Sequence, residues 1–386
     1  MTGNTRRGAT YVLALTLAAV AAATPGCKSN SVGSNDNTNW NWNAGPPPPD
    51  YWQDSGFTWD PPIDNAGDPG WQDSDEPWDP GTMDTRQGLS VWSHSSGVYA
   101  LIEGNDQFQD AFDQARVIIH NDGTGWREYL SFCPGTSTGY IGSVRGFQDG
   151  RLIGFGGLVY PLSEDTVGAA LNSSSIHHVF VVHDTLAYAA AGEKMLIYNG
   201  DHWEPVTQSP PHDIHQVWAT EDIVYGVGDI GTIVSYDGTD WTICDANTDV
   251  GLSAIWGNAP DDIWVGSNMG DILHYDGQQW TEVIWSNPQS SFREAINGIW
   301  GDAQTTYFHT EHMLLKTVGD SIQVIGNWRC DIGLTTPCPW QMAINDIWGN
   351  SADELFLAVR EDISIAMNGY DGVYILWFDG TQLHTF

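Results

Sequence analysis

The chain has 386 residues, with 49 acids against 13 bases and a formal net charge of −36. Such a polyanion repels nucleic acid and anionic headgroups, which excludes nucleic-acid binding and leaves cationic partners, divalent ions, high salt or plain solubility as readings of the charge. Residues 86–386 hold 38 acids and ten bases, a net of −28, so the folded part is acidic in its own right.

The N-terminus reads as an export signal, residues 1–26. Arg6 and Arg7 form a basic start and Tyr11 to Ala23 an apolar run too short to span a bilayer stably. Thr24-Pro25-Gly26-Cys27 then resembles the end of a bacterial lipoprotein signal, in which Cys27 carries lipid and becomes the new N-terminus. Gly26 and Cys27 fit that pattern, whereas Thr24 stands where Leu is usual and Pro25 is uncommon. The resemblance, with Lys28 after the cysteine, implies a lipid-anchored position at the outer membrane or cell surface. A cut after Ala21-Ala22-Ala23 instead gives a soluble secreted protein.

Residues 27–85 read as an acidic, disordered Pro/Trp-rich tether. From 31 to 85 there are eleven acids, no base, and only Val32 and Ile63 as branched aliphatics, too little to offset the entropy of ordering. A 19-residue duplication, Trp52-Gln-Asp-Ser to Trp59-Asp-Pro and Trp71-Gln-Asp-Ser to Trp78-Asp-Pro, is either a spacer or a pair of docking motifs. As a coil the tether spans roughly 40 Å, enough to hold a domain clear of a membrane.

From residue 86 onward a phrase recurs: Val91-Trp92, Val144-Arg145, Val179-Phe180, Val217-Trp218, Ile255-Trp256, Ile299-Trp300 and Ile347-Trp348, spaced by 53, 35, 38, 38, 44 and 48 residues. A unit repeating at this period is one supersecondary module that buries its apolar face only by stacking on its neighbours. In the best copy, Ser253–Trp256, Ile263–Gly266, Ile272–Tyr275 and Trp280–Val283 read as strands. Gly257 to Asp262 reads as a turn, and Asp276-Gly277 as a tight hairpin. The expected fold is therefore all-β: a β-propeller of about seven four-stranded blades over 86–386, with six or eight still open. Its last outer strand should be the C-terminus, and residues 82–90 either open the first blade or complete the last.

The Ile-Trp-Gly … Pro-Asp-Asp-Ile-Trp … Ile-Leu-His-Tyr-Asp-Gly … Trp-Thr sequence resembles the repeats of bacterial secreted and lipoprotein β-propellers, uncharacterised surface proteins of myxobacteria-like lineages. That resemblance covers most of 88–386 and implies fold but no activity. The sialidase Asp-box is spaced differently, Asp-x-Gly-x-Thr-Trp against Asp-Gly-x-x-Trp here.

Residues able to carry chemistry are few. The repeat tryptophans Trp218, Trp256, Trp300 and Trp348 are expected between blades. Trp285, Trp328 and Trp340, outside the repeat register, are the candidates for an exposed ring that stacks on a sugar or grips a peptide. Cys330 and Cys338 are eight apart in a loop-like stretch and read as a disulfide, while Cys133 and Cys244 read as separate buried thiols. His212/His215 and His309/His312 lack the HExxH spacing and strands would splay them, so no metal site is expected there. Asp245, Asn247 and Asp249 mimic the opening of a calcium loop, but Gly251 comes one position late and Trp256 stands where the closing Glu belongs. No other cofactor is expected, and no nucleophilic triad, phosphate loop or converging arginine set stands out.

The resulting expectation is a non-catalytic cell-envelope lipoprotein whose propeller binds or scaffolds an envelope protein or glycan and meets the membrane only through its lipid. The alternatives are a polysaccharide hydrolase or lyase acting at the propeller channel, and an assembly module docked through the tether.

Overall fold

The structure, a computed structural model, describes residues 85–105, 114–132, 141–164, 166–172, 175–287, 293–328, 342–361 and 374–385. The signal segment, Cys27, the tether up to residue 84, Cys133, Cys330, Cys338 and Trp340 lie outside the described residues.

The described strands form seven four-stranded sheets, each an antiparallel meander in chain order. The sheets, blades 1 to 7, cover 85–132, 143–167, 178–205, 216–243, 252–282, 298–327 and 342–385. All seven apolar pairs of the repeat lie on first strands, so the architecture is a seven-bladed β-propeller. In blade 5 the strands are Leu252–Ala259, Asp262–Ser267, Ile272–Tyr275 and Trp280–Glu282. The stretch from Gly257, expected as a turn, is strand as far as Ala259. A bulge between Gly257 and Ala259 lets the first strand run on until Ala259 faces Asp262 across a two-residue turn. Gly277, at φ +83, supplies the left-handed residue that the Asp276-Gly277 hairpin needs.

Seven apolar clusters fill the seven spaces between consecutive blades. Blades 4 and 5, for example, share Trp218, Tyr225, Val227, Ile233, Leu252, Ile255, Ile263, Val265 and Leu273. The repeat phrase has a direct packing role. A Cβ on Gly349 would stand 2.8 Å from the Trp300 ring of the preceding blade, and one on Gly257 would stand 2.7 Å from Trp218. The Trp of one blade thus lies on the Gly of the next, where any side chain would lift it off.

Two of the copies that depart from this lock close the axis. In blade 5 the site above Gly301 is held by Asn258, whose Nδ2 donates to Asp262 (2.9 Å) and Thr306 (3.1 Å). Trp256 turns inward instead, with ring centroids 5.9 Å from Phe180, 6.1 Å from Trp300 and 5.9 Å from Trp348. Rings from blades 3, 5, 6 and 7 therefore meet at one end of the inner strands. Trp256 and Trp348, expected between blades like Trp218 and Trp300, are only partly buried in this central cluster.

In blade 2 the aromatic of the pair is replaced by Arg145. Its guanidinium lies 4.9 Å over the Trp348 ring and pairs with Asp346 of blade 7, Nη1–Oδ2 3.0 Å and Nη2–Oδ1 3.3 Å. Asp346 also accepts from Ser90 Oγ (2.8 Å) and Val91 N (3.1 Å) of blade 1. One carboxylate thus joins blades 7, 1 and 2 where the ring closes. The strand Thr85–His94 pairs with Gly97–Asn105 of its own blade, and Leu383–Thr385 is the outer strand of blade 7, so among the described residues no strand is shared between these ends. Closure rests on this clasp and on the cluster of Val91, Val98, Ala100, Phe356, Ala358 and Ile375.

Candidate functional site

The end of the inner strands away from the ring cluster carries polar side chains. Each first strand is entered through an aliphatic anchor three residues before the apolar pair: Ile141, Ile176, Ile214, Leu252, Ile296 and Ile344 in blades 2 to 7, each at most 3 % exposed. The anchor is fixed by the turn between the second and third strands of a neighbouring blade: Ile214 N donates to Gly192 O (3.1 Å) and Leu252 N to Gly228 O (3.0 Å). Between the buried anchor and the pair, each first strand places two residues at this end of the inner strands. In blades 3, 4 and 5 these are His177-His178, His215-Gln216 and Ser253-Ala254.

Here a cleft of about 320 Å³ opens between blades 3, 4 and 5, lined by His177, His215, Gln216, Asp229, Gly251, Leu252, Ser253 and Asn268. His177 and His215 meet edge to face at 5.7 Å, and His215 Nε2 lies 3.2 Å from Asp229 Oδ2. Ser253, the hydroxyl side chain of the cleft lining, donates Oγ–H to Ile296 O at 2.7 Å and is held by the scaffold. At 3.3 Å per residue the cleft and the ring cluster stand about 10 Å apart along the inner strand. Deeper in, His178 is partly buried and its imidazole is pushed down to about 3, first by desolvation and then by the Arg145 charge. His309, fully buried beside Gly298, is lowered for the first of those reasons.

The singled-out residues fall elsewhere. Trp285, expected as an exposed ring, is 5 % exposed: it packs with Trp264, Ile296 and Phe308 and donates Nε1–H to Gly270 O at 2.7 Å. Trp328 is partly buried against the blade 6–7 cluster, its N–H bonded to His312 O at 2.8 Å. Both followed a fourth strand, where the chain folds back over an interblade gap that an indole fills. Cys244 is a partly buried free thiol, raised by burial. Asp245 Oδ1 accepts from Asn247 N (2.8 Å), with Asn247 at φ 54, so that stretch is an Asx turn. His212 is exposed while His215 turns to Asp229, so the pair is not brought together on one ligand. His312 Nδ1 lies 3.1 Å from Glu294 Oε1, and that bond with one from Thr310 outweighs burial and holds Glu294 down at about 2. Among the described residues no three His, Cys, Asp or Glu side chains are placed to hold one metal ion.

His177, Gln216, Asp229 and Asn268 were not foreseen from sequence. The signal was present: the residues between aliphatic anchor and apolar pair are small or polar in every copy from blade 2 to blade 7.

Comparison with solved structures supports the fold. The WD40 β-propeller domain of Doa1 matches 72 % of this chain and 96 % of its own at a TM-score of 0.54 and 11 % identity. YCF48 from Cyanidioschyzon merolae matches 77 % and 96 % at 0.50 and 11 % identity. The extracellular domain of a putative one-component system from B. thetaiotaomicron matches 76 % of this chain and 43 % of that one at 0.51 and 12 % identity. At these identities the likeness is one of fold. No protein-family model matches the sequence, and no curated protein does.

Proposed function

We propose that this chain is an exported, lipid-anchored envelope protein whose propeller is a non-catalytic binding or scaffolding module, with its protein or glycan partner seated in the channel-mouth cleft. The observation that carries the reading is the convergence there of the Gln216 and Asn268 amides, the His177 imidazole and the Asp229 carboxylate, while the far end of the inner strands is filled by interlocked rings. Hydrogen-bonding groups on a rigid rim select a ligand without needing a reactive atom. The propeller fold suits this role, and the signal-like N-terminus with Cys27 supplies the address.

The test is a glycan and peptide array probed with the full chain and with a Gln216→Ala/Asn268→Ala variant. A ligand held by the wild type and lost in the variant, at unchanged melting temperature, is expected. Cleavage of an arrayed polysaccharide would replace this reading with the hydrolase or lyase one. Palmitate labelling of wild type against Cys27→Ala, with and without globomycin, tests the anchor. Equal labelling of the two rejects lipidation at Cys27, and a processed, unlabelled protein in the medium indicates the secreted form.

A further inference from the structure

We infer that the channel-mouth cleft takes a cationic side chain, a lysine or arginine presented by an extended polypeptide segment, with Asp229 as its counter-charge and Ile230 and Met269 as apolar shoulders for the flanking residues. This rests on the reading of the propeller as a binding module.

The cleft holds one long side chain, not a folded surface. Its lining is polar. Asp229 is 74 % exposed and gives Oδ2 to His215, while its Oδ1 lies beside Gly251 of the cleft lining. Gln216 and Asn268, whose amides can accept as well as donate, line the same cleft. An ammonium offers three donors and a guanidinium five, which suits one carboxylate with amides beside it.

The surrounding charge has the same sense. Asp213, Asp229, Asp245 and Asp249 sit on loops tied together at this rim: Gly231 N donates to Val250 O (2.7 Å), and the Asp213 carbonyl lies directly against Gly228. None of the four forms an ion pair with Lys or Arg among the described residues, and Arg293 of this face is held by Asp271 (2.8 Å) and Glu282 (3.7 Å). An anionic ligand meets repulsion here, and a cation relieves it.

The rim distinguishes a polypeptide from a glycan. Ile230 is 79 % exposed and Met269 62 %, at matching positions in the turns of blades 4 and 5, each directly following a cleft residue, Asp229 or Asn268. Ile230 holds φ 53, a conformation that a β-branched residue rarely adopts, and the neighbouring Gly231–Val250 bond fixes it there. Two outward apolar side chains flanking a polar cleft with one carboxylate fit the stem of Lys or Arg and its apolar neighbours, whereas a sugar face is met by flat rings. In blade 3 the equivalent turn has only two residues, Gly192 and Glu193, between paired Ala191 and Lys194. In blade 4 five residues separate paired Val227 and Ile233, so the blade 3 side is open for a strand to lie across.

The test uses the full chain and labelled peptides Gly-Val-Val-X-Val-Ser-Gly with X as Lys, Arg, Gln or Glu, titrated at low and high NaCl. The Lys and Arg peptides should bind at least tenfold more tightly than the Gln peptide, a difference of about 1.4 kcal/mol. That margin should shrink at high salt. Asp229→Asn should abolish it at unchanged melting temperature, Asp245→Asn should leave it, and Ile230→Gly should weaken all four peptides alike. Equal affinity for Lys and Gln peptides, or a preference that survives Asp229→Asn, overturns the inference. If an oligosaccharide is instead captured and lost in Gln216→Ala, the cationic assignment falls while the binding-module reading stands. Lys-peptide binding undiminished by both Asp229→Asn and Gln216→Ala removes both.

Discussion

Replacing Asp346 by Ala should open the ring at its seam. Asp346 accepts four hydrogen bonds from outside its own blade: Ser90 Oγ, Val91 N and two from Arg145. The Arg145 and Asp346 side chains are only 10 % and 18 % exposed, so the variant leaves a guanidinium largely removed from water without its partner. Breaking a buried pair from one side costs about 3–5 kcal/mol. That is a large part of the roughly 5–15 kcal/mol by which domains are stable. Arg145→Met should cost a similar amount by stranding the carboxylate. The double variant Arg145→Met/Asp346→Ala should cost clearly less than the sum of the singles, because no uncompensated charge remains, with a coupling of about 1–3 kcal/mol. Urea unfolding followed by tryptophan emission gives the energies, and hydrogen exchange over 85–94 and 342–351 reports whether protection is lost first at the seam. Single variants costing under about 1 kcal/mol, or strict additivity in the double, would refute the clasp as the element that closes the ring.

Two further outcomes follow from packing and ionisation. Gly349→Ala places a methyl 2.8 Å from the Trp300 ring, and the overpacking should lower stability by about 1–3 kcal/mol in the same urea assay; a neutral result means that Trp300 is not seated on the glycine. Burial pushes the His178 imidazole down to about 3 from an ordinary value near 6.5, so the unfolded chain binds the extra proton between these limits. Its contribution to stability is present at neutral pH and is lost as pH falls from about 6.5 towards about 3, with a slope approaching 1.36 kcal/mol per pH unit. His178→Gln should flatten the stability curve between pH 6.5 and 5, and an unchanged slope would disprove the assignment.

The fold was legible because its signal repeats. Each first strand carries an aliphatic residue followed by a large side chain, so seven copies of one pair stand out, even at Val144-Arg145, among the weakest matches. That weakness had a structural cause, since Arg145 is bound to Asp346 and Trp348 instead of filling a gap between sheets. The site was hard to see for the converse reason: a binding residue occupies a position the repeat leaves free, so His177, Gln216 and Asn268 share no phrase. Departure from the register does not mean exposure at Trp285, whose indole fills an interblade gap and donates a hydrogen bond to Gly270 O. The strand ending at Ala259 was cut short because Gly-Asn-Ala-Pro carries turn chemistry that a bulge absorbs.

Because each described sheet is a meander of four consecutive strands, every wedge is encoded by one uninterrupted stretch of chain. Duplicating or deleting the segment between two connectors would then add or remove a complete unit and leave no orphaned half-sheet behind. New termini could likewise be cut at any connector once the present ones are joined. The circumference is thus free to change in whole steps during evolution or engineering, provided that a charged clasp is rebuilt wherever the new seam falls.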